Sequence, residues 1–498
     1  MTIAPPQPSK PNLGDFWPRR AWRRDRTSMA PRPIVVAAVA SGVVAALTLQ
    51  VTVVGLGYAV TGAAVTVAVF ATRRTIPSAA QAAAIFGALA LLAVLGVRGA
   101  GWLAAVCVAL SWVVGSFALV GGRTWTGLAV GSFALWFTPL RVVRWTRRGA
   151  RRWHSTGKVP VGRAVGVAAV SAVLLLVFGS LFASADAGFA ELLGKAAPSV
   201  HVSNPFGRFV LGVLVCGGTL GAAYLLRRTP RVDAFAPKPA RPVARWEWAF
   251  PLALLDLLFL GFVIVQLTVL FGGNTHVLTT ADLTYAEYAR QGFWQLLTVT
   301  ALTLVVIAVA VRKAARVDAV DRTLVRVLLG LLCVLSLVVV ASAIHRMSLY
   351  ENQYGYTRLR VTVMATELWL GLVFVLLIAA GVQLSGRWLP RAVLASAVGG
   401  VLLLAVIDPD AYVAGKNVER FDETGRIDVS YLSSLSVDAV PALDRLPEPE
   451  RSCALYRLDR QVEGESAWYE YNAARDRARE LFAAHPVRSC DRGARGNS

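Results

Sequence analysis

A carboxylate stands in the middle of an otherwise apolar stretch: Asp256, within WEWAFPLALLDLLFLGFVIVQLTVL. Gln266 lies ten positions later, within a quadrant of the same helical face. A second acid, Glu367, lies just inside the run that begins near Val361, and Arg360 precedes it on the same face. Between these runs comes IHRMSLYENQYGYTRLR, which gathers His345, Arg346, Glu351, Tyr354, Arg358 and Arg360. Gly355, between two tyrosines, suits a tight turn or a helix break. Ionisable groups in hydrocarbon are costly and commonly mark ion paths, proton relays or ligand sites. The functional reading is therefore a polar site at the outer half of a helix bundle, with Glu367 paired to Arg360. The other reading makes the same residues interhelical ties that fix packing, with Arg346 and Arg360 snorkelling to lipid phosphates.

The motifs that would name a reaction are missing. His345 has no second histidine or cysteine at ligand spacing, so no metal is expected. There is no GxxxxGK[ST] phosphate loop, no HExxH and no GxSxG elbow. The first outer loop, VVGLGYAV, has no acid, which leaves a lipid-linked glycosyltransferase a minor alternative. No catalytic residue and no cofactor are expected.

The elements that must position Asp256 and Glu367 are transmembrane helices. Ile34–Val54, Ala79–Val97, Gly162–Phe182, Phe250–Phe271, Leu324–Ala343 and Val361–Leu384 are each close to a bilayer-spanning length. Only 16% of the 498 residues are charged, and the mean hydropathy is +0.55, far from soluble averages. The net charge of +21 collects in the short loops, where it fixes membrane orientation. Nucleic-acid binding would need a basic stripe with exposed aromatics on a folded surface, so no nucleic-acid partner is expected; the expected partner is the lipid bilayer.

Loop charge sets the topology. The basic, Pro-rich residues 1–33 read as a disordered cytoplasmic tail. The chain then crosses at Ile34–Val54, Gly55–Ala71, Ala79–Val97 and Gly101–Val120, reaching Arg123 inside. Thr124–Leu140 is short and is followed by RVVRWTRRGARRWHSTGKVPVGR. Were it a crossing, that basic stretch would lie outside, so it reads as interfacial or re-entrant, with Trp125, Trp136 and Trp145 at headgroup level. Crossings continue at Gly162–Phe182, Phe206–Leu226, Phe250–Phe271, Gly292–Val311, Leu324–Ala343, Val361–Leu384 and Ala392–Ile407. The expectation is an all-α bundle of about eleven transmembrane helices. Its parts are an N-terminal membrane region over 34–160, a membrane core over 161–407 and a small extracytoplasmic helical domain over 408–498.

Cys107, Cys216 and Cys333 fall inside apolar runs, while Cys453 and Cys490 lie in the tail placed outside. A disulfide between those two suits an oxidising compartment; two free thiols is the alternative. SVDAVPALDRL and SAWYEYNAARDRARELFAAH carry helical spacing. With few large apolar residues, the tail is expected to lean on the bilayer or the outer loops.

Several ordered motifs also carry a family likeness. They are FGSLFASADAGFAELL, LDLLFLGFVIVQLTVLFGG with LTYAEYARQGFWQLL, ASAIHRMSLYENQYGYTRLRV with ELWLG, RWLPRAV, DPDAYVAGKNVER and YLSSLSVDAVPAL. From about Phe178 to Leu446 the chain resembles bacterial, largely actinobacterial, integral membrane proteins catalogued as domain of unknown function 4173, related to the 4153 group. The resemblance implies a multi-pass protein of the bacterial cell membrane and brings no catalytic residues. Two functions stay open: a transporter or lipid-handling protein built around Asp256 and Glu367, or a non-catalytic envelope or sensory component whose outer tail binds an envelope protein.

Overall fold

The computed structural model describes residues 29–50, 53–70, 77–154, 205–235, 243–271, 285–314, 318–383, 385–464, 467–488 and 490. The expected crossing at Gly162–Phe182, residues 1–28 of the N-terminal tail and residues 491–498 lie outside the described residues. Those that are described form helices and no strand. Eight helices are long and apolar enough to cross a membrane: Ala79–Gly96, Gly101–Val120, Phe206–Arg227, Arg245–Gln266, Trp294–Lys313, Ala319–Tyr354, Arg358–Gln383 and Leu389–Ile407. Contacts divide the chain into two compact units.

The first unit comprises Met1–Val97, Cys107–Ala236 and Ser466–Asn472. Its helices are α1 (Arg32–Thr48), α2 (Gly57–Phe70), α3 (Ala79–Ala93), most of α4 (Gly101–Val120), α5 (Trp125–Ser132), α6 (Pro139–His154) and α7 (Pro205–Arg227). The first two expected crossings are shorter than the apolar runs, at 17 and 14 residues. The reason is local. The chain leaves the helix at Leu49 in an extended conformation, and Gly57 lies so close to the Thr48 carbonyl that a Cβ would sit 2.0 Å from its oxygen. α1 and α7 run antiparallel through mutual glycines: a Cβ on Gly42 would meet the Gly212 oxygen at 2.7 Å, and one on Gly212 the Gly42 oxygen at 2.8 Å. Small residues give such helices their close approach. Ser41 and Thr219 share a hydrogen bond of 3.0 Å beside this contact.

Thr124–Leu140 does not form a spanning helix. It is broken into the eight residues of α5, a 3-10 turn over Ala134–Phe137 and the first residues of α6. Eight residues rise roughly 12 Å, well short of a bilayer.

The second unit comprises Arg98–Val106, Pro237–Glu465 and Ala473–Ser498. It holds α8 (Arg245–Phe271), α9 (Tyr285–Lys313), α10 (Ala319–Tyr354), α11 (Arg358–Gln383) and α12 (Leu389–Ile407). The centre is α10, which packs against α8, α9 and α11. Its 36 residues reach roughly 54 Å, so the stretch after Ala343, expected as a loop, is helix as far as Tyr354. Only Gly355–Thr357 connects to α11, and Gly355 ends α10 at φ 82°, a backbone that glycine takes without steric cost.

The tail folds onto itself. α13 (Pro409–Thr424), α14 (Val429–Leu432), α15 (Val440–Leu443), α16 (Glu450–Val462) and α17 (Ala473–Ala484) bury Val413, Leu432, Leu443, Leu455, Leu458 and Phe482. Many small and medium apolar residues on short helices supply a core within it. A disulfide joins Cys453 to Cys490, with Cα atoms 4.7 Å apart.

Candidate functional site

α8 and α10 lie parallel and in step. Arg245 on α8 pairs with Asp321 on α10 at 2.6 Å, and Ser342 on α10 donates to Oε1 of Gln266 on α8 at 2.8 Å. The same residue offset holds at both places, so Asp256, midway, falls level with Leu332 and Cys333. Asp256 is 4% exposed, and neither carboxylate oxygen has a hydrogen-bond partner among the described residues. Gln266 has two donors, since Arg346 Nη2 also reaches its Oε1, at 2.9 Å. The α8–α10 seam thus holds one satisfied polar knot toward the α10 C-terminus and, nearer mid-helix, one carboxyl with no partner.

Glu367 belongs to a different place. α11 runs antiparallel to α10, with Gly371 against Val340 and Arg360 over the Tyr350 ring at 4.3 Å. That register sets Glu367 level with Ile344, roughly 18 Å along α10 from the level of Asp256. Asp256 and Glu367 do not form one site. The expected Glu367–Arg360 pair is also absent: Glu367 is wholly buried, both its oxygens are without a hydrogen bond, and the Arg360 guanidinium turns to the Gly355 carbonyl. The helix break draws Arg360 away, because the carbonyl freed at the α10 terminus needs a donor. Glu351 is buried beside it. His345 and Tyr354 are exposed, and the Tyr354 ring packs on Tyr350 at 4.8 Å.

Arg358, rather than Arg360, forms the buried ion pair of this segment. Arg358 makes a two-pronged pair with Asp410, Nε to Oδ1 at 2.7 Å and Nη2 to Oδ2 at 2.5 Å. The backbone N–H of Arg358 donates to the Tyr431 hydroxyl at 2.7 Å. Asp410 is fully buried and also accepts from the Ser436 backbone at 2.9 Å and the Trp102 indole at 3.4 Å. Asp438 beside it accepts from the Gly99 backbone at 2.8 Å and the Ser436 hydroxyl at 2.7 Å. Arg98 bonds Asp408 and the Ala405 carbonyl. The tail is thereby clamped to the ends of α11 and α12 and to residues 98–102. None of Asp408, Asp410, Asp438 or Arg98 was singled out from the sequence. The available signal was Asp408–Pro409–Asp410 directly after an apolar run, the order of an N-cap and a proline at the first helical position. Asp408 does cap α13, accepting from Ala411.

These carboxylates respond to pH in opposite senses. Burial, then the neighbouring Asp438, pushes Asp408 up to about 7 against the pull of Arg98, and burial likewise raises Asp438. Asp410 is also penalised by burial, but Arg358 and Ser436 hold it below its ordinary value of 3.8. A raised carboxyl binds its proton more tightly in the folded chain, so its share of stability grows as pH falls from about 7. A lowered one contributes stability above its ordinary value that is lost as pH falls further. Protection of the tail from protease in detergent should rise from pH 8 toward about pH 5 and drop again below about pH 4. A flat profile would mean that these groups do not hold the tail.

The first unit has its own clusters at helix ends. The Glu470 side chain accepts from Gln50, the Tyr471 carbonyl accepts from the Leu56 N–H at 3.0 Å, and Asn472 donates to the Leu95 carbonyl at 3.0 Å. Arg208 reaches the Leu47 carbonyl and the Tyr469 hydroxyl. At the other end of these helices Asp233 accepts from the Arg123 and Thr124 backbones and the Thr124 hydroxyl.

Among the described residues, eight membrane-length apolar helices with buried acids between them are consistent with a multi-pass membrane protein. Residues 83–446 match the family model described as "Domain of unknown function (DUF4153)". The chain belongs to that family. The motif resemblance put 4173 first and 4153 as its relation; the matching model is 4153, and it begins well before Phe178. No curated protein matches this chain, and no solved structure does.

Proposed function

We propose that this chain is a multi-pass protein of a bacterial, actinobacterial-type inner membrane that moves or handles a small solute or a lipid-linked molecule at a polar site on the α8–α10 seam. The carrying observation is Asp256, buried on a membrane-length helix with both oxygens unpartnered. A lone ionised carboxylate is strongly disfavoured in hydrocarbon, so such a group is kept as the acid or meets a cation. Either use suits a cycle that binds and releases protons or cations. Gln266, Ser342 and Arg346 extend the polar surface toward the α10 C-terminus. Glu367 is a separate acid outside this site.

The N-terminus is taken as cytoplasmic and residues 408–498 as an extracytoplasmic domain. The contacts support this parity. Within the first unit the helix ends at Gln50, Leu56, Leu95 and Arg208 meet residues 469–472, and within the second those at Arg98 and Arg358 meet Asp408 and Asp410; loop charge assigns each of these ends to the outside. Arg123–Asp233 and Arg245–Asp321 join ends assigned to the inside. The Cys453–Cys490 bridge suits an oxidising compartment.

One observation favours the second reading, an envelope or sensory component. The tail has its own apolar core and a buried clamp to the helix ends, which is the build of a rigid platform for a partner. Lipid and metabolite profiles of a deletion strain beside an Asp256→Asn strain separate the two. Matching defects are the expected result; normal profiles in the point mutant would remove the intramembrane site and leave the platform.

A further inference from the structure

We propose that α6 is a binding surface for the anionic phospholipid headgroups of the membrane in which the chain sits. Its sequence, PLRVVRWTRRGARRWH, contains six arginines and no acid. At the helical period the side chains divide into three arcs. Val142, Trp145 and Gly149 form a buried stripe. It docks against Ala30 and α7: the Trp145 and Tyr224 rings meet at 5.6 Å, Ala30 N–H donates to the Trp145 carbonyl at 3.2 Å, and a Cβ on Gly149 would lie 2.4 Å from the Ala30 oxygen.

That stripe is therefore occupied, and two arcs are left over. One holds Val143, 51% exposed; Leu140, 73% exposed at the first turn, stands in line with the arginines of the other arc and continues the exposed Trp136 and Phe137 just before the helix. The adjacent arc carries Arg144, Arg147, Arg148 and Arg151, the first two and the last exposed. None of these four makes an ion pair among the described residues. Apolar side chains flanked by unpaired guanidinium groups match one environment closely, a layer of phosphates above acyl chains. Guanidinium forks bind phosphate oxygens in pairs. A soluble polyanion would answer the arginines and leave Leu140, Val143, Trp136 and Phe137 in water.

Position points the same way. α6 is docked at the N-terminal end of α1 and the C-terminal end of α7, and α7 is of membrane-spanning length. The helix is thus held at a membrane boundary whichever way the chain is oriented. This inference does not depend on the reading of Asp256.

The test uses the full chain purified in a mild detergent. Phosphatidylglycerol, phosphatidylcholine or glycerol 3-phosphate is titrated in while bound lipid is counted by native mass spectrometry and thermal unfolding is followed. Phosphatidylglycerol should bind and raise the unfolding midpoint, and neither phosphatidylcholine nor the free phosphate ester should. Replacing Arg144, Arg147, Arg148 and Arg151 together by Gln should weaken phosphatidylglycerol binding by about tenfold or more, since each basic group near an anionic surface contributes. Lys at the same four positions should retain most of it, which guards against a Gln variant that fails to fold. Replacing Arg312, Lys313, Arg322 and Arg326 by Gln removes equal charge elsewhere and should change nothing. Wild-type binding by the α6 Gln variant, an equal loss in the control variant, or preference for nucleic acid or an acidic protein over phosphatidylglycerol would overturn the proposal.

Discussion

Arg358→Gln should destabilise the detergent-purified protein by about 3–5 kcal/mol, the usual cost of breaking a buried pair, and expose the tail to protease. The cost falls on the partner left behind. Asp410 is fully buried, and without the guanidinium its remaining donors are the Ser436 backbone and the long Trp102 contact. Asp410→Asn should cost less. It leaves the Arg358 side chain, which is 30% exposed, free to turn toward water. With both changes together, the loss should be well short of the sum, because the stranded carboxylate is gone. Thermal unfolding of the four proteins decides this. Strict additivity would show that the two groups stabilise the chain independently, and the clamp would lose its central contact.

The membrane class and most helices were legible because hydrocarbon imposes a length and a polarity that a sequence must obey. Arg358–Gln383 and Leu389–Ile407 follow the apolar runs to within a few residues. The extension of α10 to Tyr354 was not legible, because its last turns carry His345, Arg346 and Glu351 and look like a loop to a hydropathy reading. Gly355 was the usable signal, and it marks the break. Asp256 and Gln266 were legible as interruptions of an apolar run, and the structure buries both on the side of α8 that meets α10. The pairing partners were not. Helical period relates residues on one helix, so it proposed Arg360 for Glu367. The pair that forms joins Arg358 to Asp410 across a connection that no period describes. The basic stretch after Leu140 read only as a topology signal; its three-arc division needed the docking of Trp145 and Gly149.

Asp256→Leu should make the protein more stable while removing its function. A buried polar group without a partner costs about 1–3 kcal/mol, and neither oxygen of Asp256 is satisfied. Leucine keeps the branched skeleton of aspartate with bulkier methyl groups and joins Leu252 and Phe259 on the same face of α8, which belong to the apolar core around α10; loss of the unpaired acid should outweigh the added volume. The unfolding midpoint should therefore rise, whereas the same change at a residue serving only as a packing tie would lower it. Under the proposed function, activity should move the other way, since that reading keeps the carboxyl on a membrane-length helix for what it binds. The variant is to be purified beside wild type, and its gene returned to the deletion strain. A higher midpoint with no rescue of the strain is the expected pair of results. A lower midpoint would mean that Asp256 meets a partner in the working protein. Full rescue by a stabilised variant would make the acid dispensable, and the C-terminal tail would become the part of the chain to pursue.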